Sequence, residues 1–245
     1  MRALITNDDG IDSEGIAVLA RVAHDAGLDL TVAAPSWDSS GASASLTAVE
    51  QDGRVLFERR TLRGLPEVDA FAVEAAPALI VRLATTGAFG EEPELVLSGI
   101  NHGLNTGRAV LHSGTVGAAL TAATHGCRAL AISLALSEEP RWDTAAQVAA
   151  VAIDQLMRSG GEIVLNVNVP DVAPENLRSL ERAHLAAFGA VTATITERGA
   201  GHIKVAYAGT RAEPEEGTDV ALLAQGHPTY TPLLTVCEDR DFAAV

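Results

Sequence analysis

The chain opens Met1-Arg2-Ala3-Leu4-Ile5-Thr6-Asn7-Asp8-Asp9-Gly10, and apolar residues then recur with a helical period from Glu14 to Ala26. The first five residues read as a short buried strand, Gly10 permits the sharp turn out of it, and the helix follows at once. Strand, acidic turn and helix form the unit from which open α/β sheets are wound, and such sheets bind ligands at the carboxyl ends of their strands. Two adjacent carboxylates at that place resist joint ionisation unless a cation compensates them. Asp8 and Asp9 therefore read as a metal site, the alternative being a solvated Asp-rich turn.

The alternation continues outward from this unit. Leu28 to Ala34 reads as a second strand after a C-cap at Gly27, and Pro35 to Thr47 as a loop dense in Ser and Gly. Arg54–Glu58 and Ala70–Glu74 are expected short strands, and Pro77 opens a helix to about Thr86. Glu94–Ser98 is an apolar strand followed by a glycine-punctuated loop through Ser113. Gly114–His125 is a helix of small residues stopped by Gly126. Arg128–Leu134, Trp142–Arg158 and Glu162–Val169 read as strand, Ala-rich helix and strand. The expectation is a three-layer, doubly wound, mainly parallel α/β sheet. Val191–Glu197 and Ile203–Tyr207 alternate like a hairpin, an acidic stretch runs from Glu213 to Asp219, and the tail carries Glu238, Asp239 and Asp241 with little periodicity. Residues 1–245 are expected to form one domain, with 186–245 as a hairpin and oligomerisation extension.

With 245 residues the chain can fill one large α/β domain. Hydrophobic residues make up 47% but aromatic ones only 4%, so the core must be Ala, Val, Leu and Ile. The net charge of -15 argues against nucleic-acid polymers and anionic membranes as partners. Cys127 and Cys237 cannot build a disulfide framework and read as buried, reduced thiols. With no signal-peptide pattern and no spanning apolar run, the chain is expected to be cytoplasmic.

Three loops carry oxygen chemistry. The first holds Asp8 and Asp9, the second runs Ser39-Ser40-Gly41-Ala42-Ser43-Ala44-Ser45-Leu46-Thr47, and the third runs from Ser98 through Asn101 and Asn105 to Thr115. Carboxylates with hydroxyl and amide oxygens suit Mg²⁺, Mn²⁺ or Ca²⁺ rather than thiophilic metals. Ser113, Gly114 and Thr115 stand where a helix begins, and free N–H groups there can receive a phosphate. Together these features point to metal-assisted phosphoryl transfer to water. Competing motifs fail: the chain has no G-x-x-x-x-G-K-[ST] string, no dinucleotide fingerprint, no spaced D-x-D and no G-x-S-x-G elbow.

At these residues the chain resembles the SurE family of 5′/3′-nucleotidases. Met1–Ile16 looks like its opening strand and N-D-D-G turn. Ala34-Pro35 with Ser40-Gly41 and Ser45-Leu46-Thr47 matches its second loop. Ser98–Asn101, Gly103, Asn105, Gly107 and Ser113–Val116 match S-G-I-N-x-G-x-N-x-G and S-G-T-V. Leu165–Pro170 resembles L-N-[VI]-N-x-P, and Gly217-Thr218-Asp219 with Gly226 and Thr231-Pro232-Leu233 matches the C-terminal elements.

The resemblance implies one divalent metal per subunit, Mg²⁺ or Mn²⁺ (Ca²⁺ as a possible occupant), held by Asp8, Asp9, Ser40 and Asn101. The spacing from Pro35 and the following Gly41 favour Ser40 over Ser39. It implies catalytic roles for Asp8, Asp9 and Asn101, phosphate contacts at Gly41, Ser113, Gly114 and Thr115, and a homodimer or homotetramer exchanging C-terminal segments. The expected activity is hydrolysis of nucleoside 5′/3′-monophosphates. The alternatives are a catalytically silent nucleotide- or sugar-phosphate-binding protein and a phosphatase for another small phosphate ester. The chain departs from the family pattern at Ala44, Leu79, Arg108, Ala109, His112, His227 and Ala206–Gly209. His112 and His227 are the expected contacts to the leaving group.

Overall fold

The computed structural model describes residues 1–161, 163–189, 191–209 and 215–238. Its strands are β1 (Arg2–Thr6), β2 (Asp29–Pro35), β3 (Glu50–Gln51), β4 (Arg54–Val55), β5 (Phe57–Leu62), β6 (Leu65–Val73), β7 (Leu95–His102), β8 (Arg128–Leu134), β9 (Val164–Val169), β10 (Glu181–Arg182), β11 (Val191–Gly199), β12 (His202–Gly209) and β13 (Thr229–Leu233). Its helices are α1 (Glu14–Asp25), α2 (Pro77–Ala84), α3 (Gly114–Thr124), α4 (Trp142–Arg158) and α5 (Asp219–Ala224).

A nine-stranded sheet runs in the order β10-β13-β9-β8-β7-β1-β2-β6-β5. The six pairings that involve β1, β2, β7 and β8, or join β10 to β13, are parallel, while β13 runs antiparallel to β9 and β5 to β6. The expected doubly wound, mainly parallel α/β sheet is therefore present, with antiparallel pairings towards both edges. A separate hairpin joins β11 and β12.

Alternation along the buried strands divides the core into two layers. Ala3 and Ile5 of β1 and Leu130, Ile132 and Leu134 of β8 pack with Ile16 and Leu19 of α1 and Val148 and Ile153 of α4. Leu4, Ala129 and Ala131 face the opposite way, against Ile80 and Val81 of α2 and Val116, Ala119 and Ala122 of α3. Central parallel strands covered on both faces must be apolar on both, which is why β1 and β8 read as continuous hydrophobic runs.

The structure extends two elements beyond their expected limits. The short strand expected at Arg54–Glu58 is split between β4, which pairs with β3, and the start of β5, while the one expected at Ala70–Glu74 is the end of β6 in a longer hairpin of β5 and β6. Its outer strand carries Glu58, Arg59 and Arg60 on the exposed edge, and that charge hides the strand from a hydrophobic count while guarding the edge. The strand expected to stop at Ser98 continues to His102, with a register shift against β8 between Ser98 and Asn101. Gly99 makes the passage possible: its φ is +131°, and a Cβ there would lie 2.3 Å from the Ile132 carbonyl oxygen.

Glu162, residues 213–214 of the acidic stretch and residues 239–245 of the tail lie outside the described residues. Among the described residues no helix is long and apolar enough to cross a membrane. Cys127 is buried as expected, but Cys237 is exposed, because it lies past the end of β13, where no element covers it.

Candidate active site

β1 delivers the acidic turn, and Asn7 closes it. The Asn7 side-chain N–H₂ donates to the Gly10 carbonyl at 3.0 Å and to Ser13 Oγ at 2.7 Å, while the Gly10 N–H donates to Asn7 Oδ1 at 3.2 Å. The Ile11 N–H donates to the Pro35 carbonyl at 2.9 Å, which ties the turn to the end of β2. The Ser39 N–H and hydroxyl donate to the Asp8 carbonyl at 2.7 and 3.3 Å, so the second loop is fastened to the first.

Asp8 is 3% exposed and lies against the N-terminus of α3. Thr115 Oγ1 donates to Asp8 Oδ1 at 2.5 Å. A Cβ on Gly114 would come within 2.7 Å of Asp8 Oδ2, so only glycine lets the carboxylate and the helix approach this closely. Burial pushes the Asp8 carboxyl above its ordinary range, the bond from Thr115 offsets part of this, and the Asp38 charge adds to the rise. Asp9 Oδ2 accepts the His102 N–H at 3.3 Å. Burial first and the neighbouring Asp8 charge second raise Asp9 to about 6.

Asn101, at the end of β7, is held by its side-chain N–H₂, which donates to the Gly103 carbonyl at 2.5 Å. That leaves its carbonyl oxygen as a ligand-capable atom. The loop beyond is anchored by Asn105: its N–H donates to Asn168 Oδ1, its Nδ2 to Ser133 Oγ, and its carbonyl accepts from both Asn166 and Asn168. Farther along, the buried Asp219 carboxylate accepts the Gly107 N–H at 2.7 Å and the Ala186 N–H at 3.0 Å.

The structure gathers Asp8, Asp9 and Asn101 at adjoining strand ends, with Ser113, Gly114 and Thr115 beside Asp8. Ser113 caps α3, its Oγ accepting the Val116 N–H at 3.1 Å. Thr115 gives its hydroxyl to the buried Asp8 carboxylate, which supplies that acid with a donor. Ser40 is exposed and donates to Asp38 Oδ1 at 2.6 Å, with Gly41 exposed beside it; Ser39 is the serine that touches the acidic turn. His112 is exposed at the end of a 3-10 turn, next to Ser113. His227 is not brought to the acids. It precedes β13, which is separated from β7 by β9 and β8, and it bonds the Ser179 carbonyl at 3.1 Å.

Several contributors were not singled out from the sequence. The Thr6 and Ser98 hydroxyls lie at paired positions of β1 and β7, fully buried and with no hydrogen-bond partner among the described residues. His102 packs its ring near Trp142, at 5.8 Å between centroids, and its Nε2 accepts the Ser137 N–H at 3.3 Å. The paired asparagines of Asn166-Val167-Asn168 were a legible signal, since alternate positions of a strand share a face.

Adjacent carboxylates, both raised by burial and with no ion-pair partner among the described residues, form a donor set that fits a hard divalent cation. No three acidic, histidine or cysteine side chains gather as a metal cluster among the described residues. Any such site is thus two carboxylates completed by neutral oxygens, Asn101 Oδ1 foremost.

An acidic, oxygen-lined site at the strand ends of a doubly wound sheet marks the class of α/β proteins that bind small ligands at those ends. Comparison narrows the class. Residues 3–190 match the family model for survival protein SurE. The 5′-nucleotidase SurE of Methylococcus capsulatus is 37% identical over 239 residues, covering 95% of this chain and 91% of that protein. The 5′-nucleotidase SurE of Stenotrophomonas maltophilia is 36% identical over 242 residues, covering 95% and 89%. The crystal structure of SurE protein from Aquifex aeolicus superposes with a TM-score of 0.76 at 29% identity, covering 95% of this chain and 93% of that one. The chain belongs to the SurE family.

Proposed function

We propose that the chain is a metal-dependent phosphomonoesterase that hydrolyses nucleoside 5′- or 3′-monophosphates to nucleoside and phosphate. The observation that carries this reading is the buried Asp8 next to the half-buried Asp9, both carboxyls raised by desolvation, beside Asn101 and the N-terminus of α3. The names of the curated relatives point the same way.

Asp8, Asp9 and Asn101 would hold a divalent ion, Mg²⁺ or Mn²⁺, with Ser40, or Ser39 beside it, completing the shell. When bound, such an ion polarises the phosphoryl group and lowers the pKa of water. Thr115 orients Asp8 by its hydroxyl, and the His102 N–H orients Asp9. The Gly114 N–H and the Ser113 hydroxyl, at the positive end of α3, face the phosphate oxygens and stabilise negative charge there. Asn105 and Asp219 hold the third loop fixed, so that Asn101 does not reorganise during the reaction.

Phosphate release from a panel of nucleoside monophosphates, with Mn²⁺, with Mg²⁺ and with chelator, tests the reading. Metal-dependent release that Asp9→Asn abolishes supports it. Tight binding of the same nucleotides without release would favour a silent binding protein.

The assembly belongs to the same proposal. The β11–β12 hairpin exposes Ile195, Ile203 and Val205, apolar surface that a second subunit would cover. Residues 186–245 then serve as the oligomerisation extension of a homodimer or homotetramer, and light scattering on the purified chain decides between these and a monomer.

A further inference from the structure

Asp38 is the one acid of the second loop, and it is exposed. Its Oδ1 accepts the Ser40 N–H at 2.8 Å and the Ser40 hydroxyl at 2.6 Å. The first bond makes the turn that an aspartate closes with the residue two places on, and that bond suffices to shape the loop. The second adds something the turn does not need. A hydroxyl has one proton and two lone pairs, so a Ser40 that has given its proton to Asp38 keeps both lone pairs for a cation.

Ser39 is committed differently. It gives its N–H and its hydroxyl to the Asp8 carbonyl, which fastens the loop to the acidic turn and leaves Ser40 one Cα step, about 3.8 Å, beyond that anchor. Asp38 is near enough for its charge to add to the rise of both the Asp8 and Asp9 carboxyls. No Lys, Arg or His pairs with any of the three acids among the described residues. Three carboxylates so placed repel one another, and a cation among them turns that repulsion into attraction.

We infer that Asp38 is a positioning residue of the metal site: by holding the proton of Ser40 it presents the Ser40 oxygen to the divalent ion, and so makes Ser40, not Ser39, the serine of the shell. The inference rests on the metal-dependent reading above and names a residue that reading does not use. Solvent screens the charge of an exposed carboxylate, so the larger part of the effect passes through Ser40. Hydrogen-bond partners of metal ligands commonly carry about 10–100-fold in metal affinity.

Mn²⁺ binding to the full chain without any ester tests this, with free ion counted by electron paramagnetic resonance and the waters on bound ion by water-proton relaxation. Asp38→Ala should weaken binding by about tenfold and add one exchangeable water to the bound ion, where the Ser40 oxygen had been. Asp38→Asn, whose amide oxygen can still accept the Ser40 proton, should keep the water count of the parent and most of its affinity. Ser40→Ala should match Asp38→Ala, and the double variant should lose little beyond either single one. A full further loss in the double variant, or weaker binding in Asp38→Ala with no added water, would mean that Asp38 acts by charge alone and overturns the inference. Unchanged affinity in Asp38→Ala overturns it too, as does a parent chain that takes up no Mn²⁺.

The same measurements separate this inference from the hydrolase. The expected pattern in a chain that releases no phosphate would uphold the role of Asp38 and sink the hydrolase. Mn²⁺-dependent phosphate release, with Asp38→Ala unchanged in affinity and water count, would do the reverse.

Discussion

Thr115 gives its hydroxyl proton to Asp8 at 2.5 Å, so the first turn of α3 is fastened to the loop of β1 by one bond to a buried carboxylate. Bonds to charged groups contribute about 1.5–3 kcal/mol, and removing the donor leaves the acid desolvated. Thr115→Val should therefore lower unfolding free energy by about 2 kcal/mol in denaturant titrations, while Thr115→Ser keeps most of it. Equal stability of the two variants would dismiss the bond as decoration.

Gly114 tests closeness rather than bonding. An added Cβ would fall 2.7 Å from Asp8 Oδ2 and 2.8 Å from its Cβ. Gly114→Ala favours the helix by about 1 kcal/mol, yet it must push the carboxylate aside. Metal-dependent turnover is expected to fall by roughly a hundredfold with helical circular dichroism intact, and undiminished turnover would place Asp8 outside the chemistry.

The metal-free protein should carry a pH signature. Burial and the neighbouring Asp8 charge raise the folded Asp9 to about 6, well above the ordinary carboxylate range near 4, so the folded state holds its proton longer than the unfolded chain does. The stability contributed by this group is complete below about pH 4 and is lost as pH rises through about 6; the upward shift of Asp8 acts in the same direction. Denaturant midpoints in chelator should decline between these limits, and Asp9→Asn should shrink the decline. A midpoint that rises over the same interval would contradict the burial assigned to the pair.

Asp219 predicts a long-range effect. Its carboxylate, fully buried, receives the N–H groups of Gly107, Ala186 and Val220. Asp219→Ala orphans three amides and should cost about 3 kcal/mol, with a parallel loss of turnover as the Asn101 loop loosens. Proteolysis within residues 103–112 is a direct readout, and unchanged protection would refute the anchoring role.

What could be read from the sequence depended on whether a signal is local. The first strand, its acidic turn and α1 were legible because periodicity and turn chemistry lie within ten or so residues of one another, and α4 was found at Trp142–Arg158 for the same reason. The edge strand β5 was only partly read, because Glu58, Arg59 and Arg60 answer to solvent rather than to a core. The continuation of β7 to His102 was missed because Gly99 reads as a stop, while the packing that admits it comes from Ile132 on another strand. The acid pair was legible by its chemistry. Which serine touches it was not, since Ser39 and Ser40 differ by one position and only the path of the loop distinguishes them. Asp219 lies 112 residues from the amide it holds, and nothing in either stretch announces the other.

That last bond sets an order of events during synthesis. The acid pair and Asn101 are both made before Asp219, so the loop between Asn101 and α3 has no buried acceptor for Gly107 until Asp219 has been made. A nascent or prematurely terminated chain therefore displays the acidic pair without the clamp that fixes its neighbour. Competence arrives with Asp219, and a product cut short of it should bind ions loosely while remaining inert towards esters.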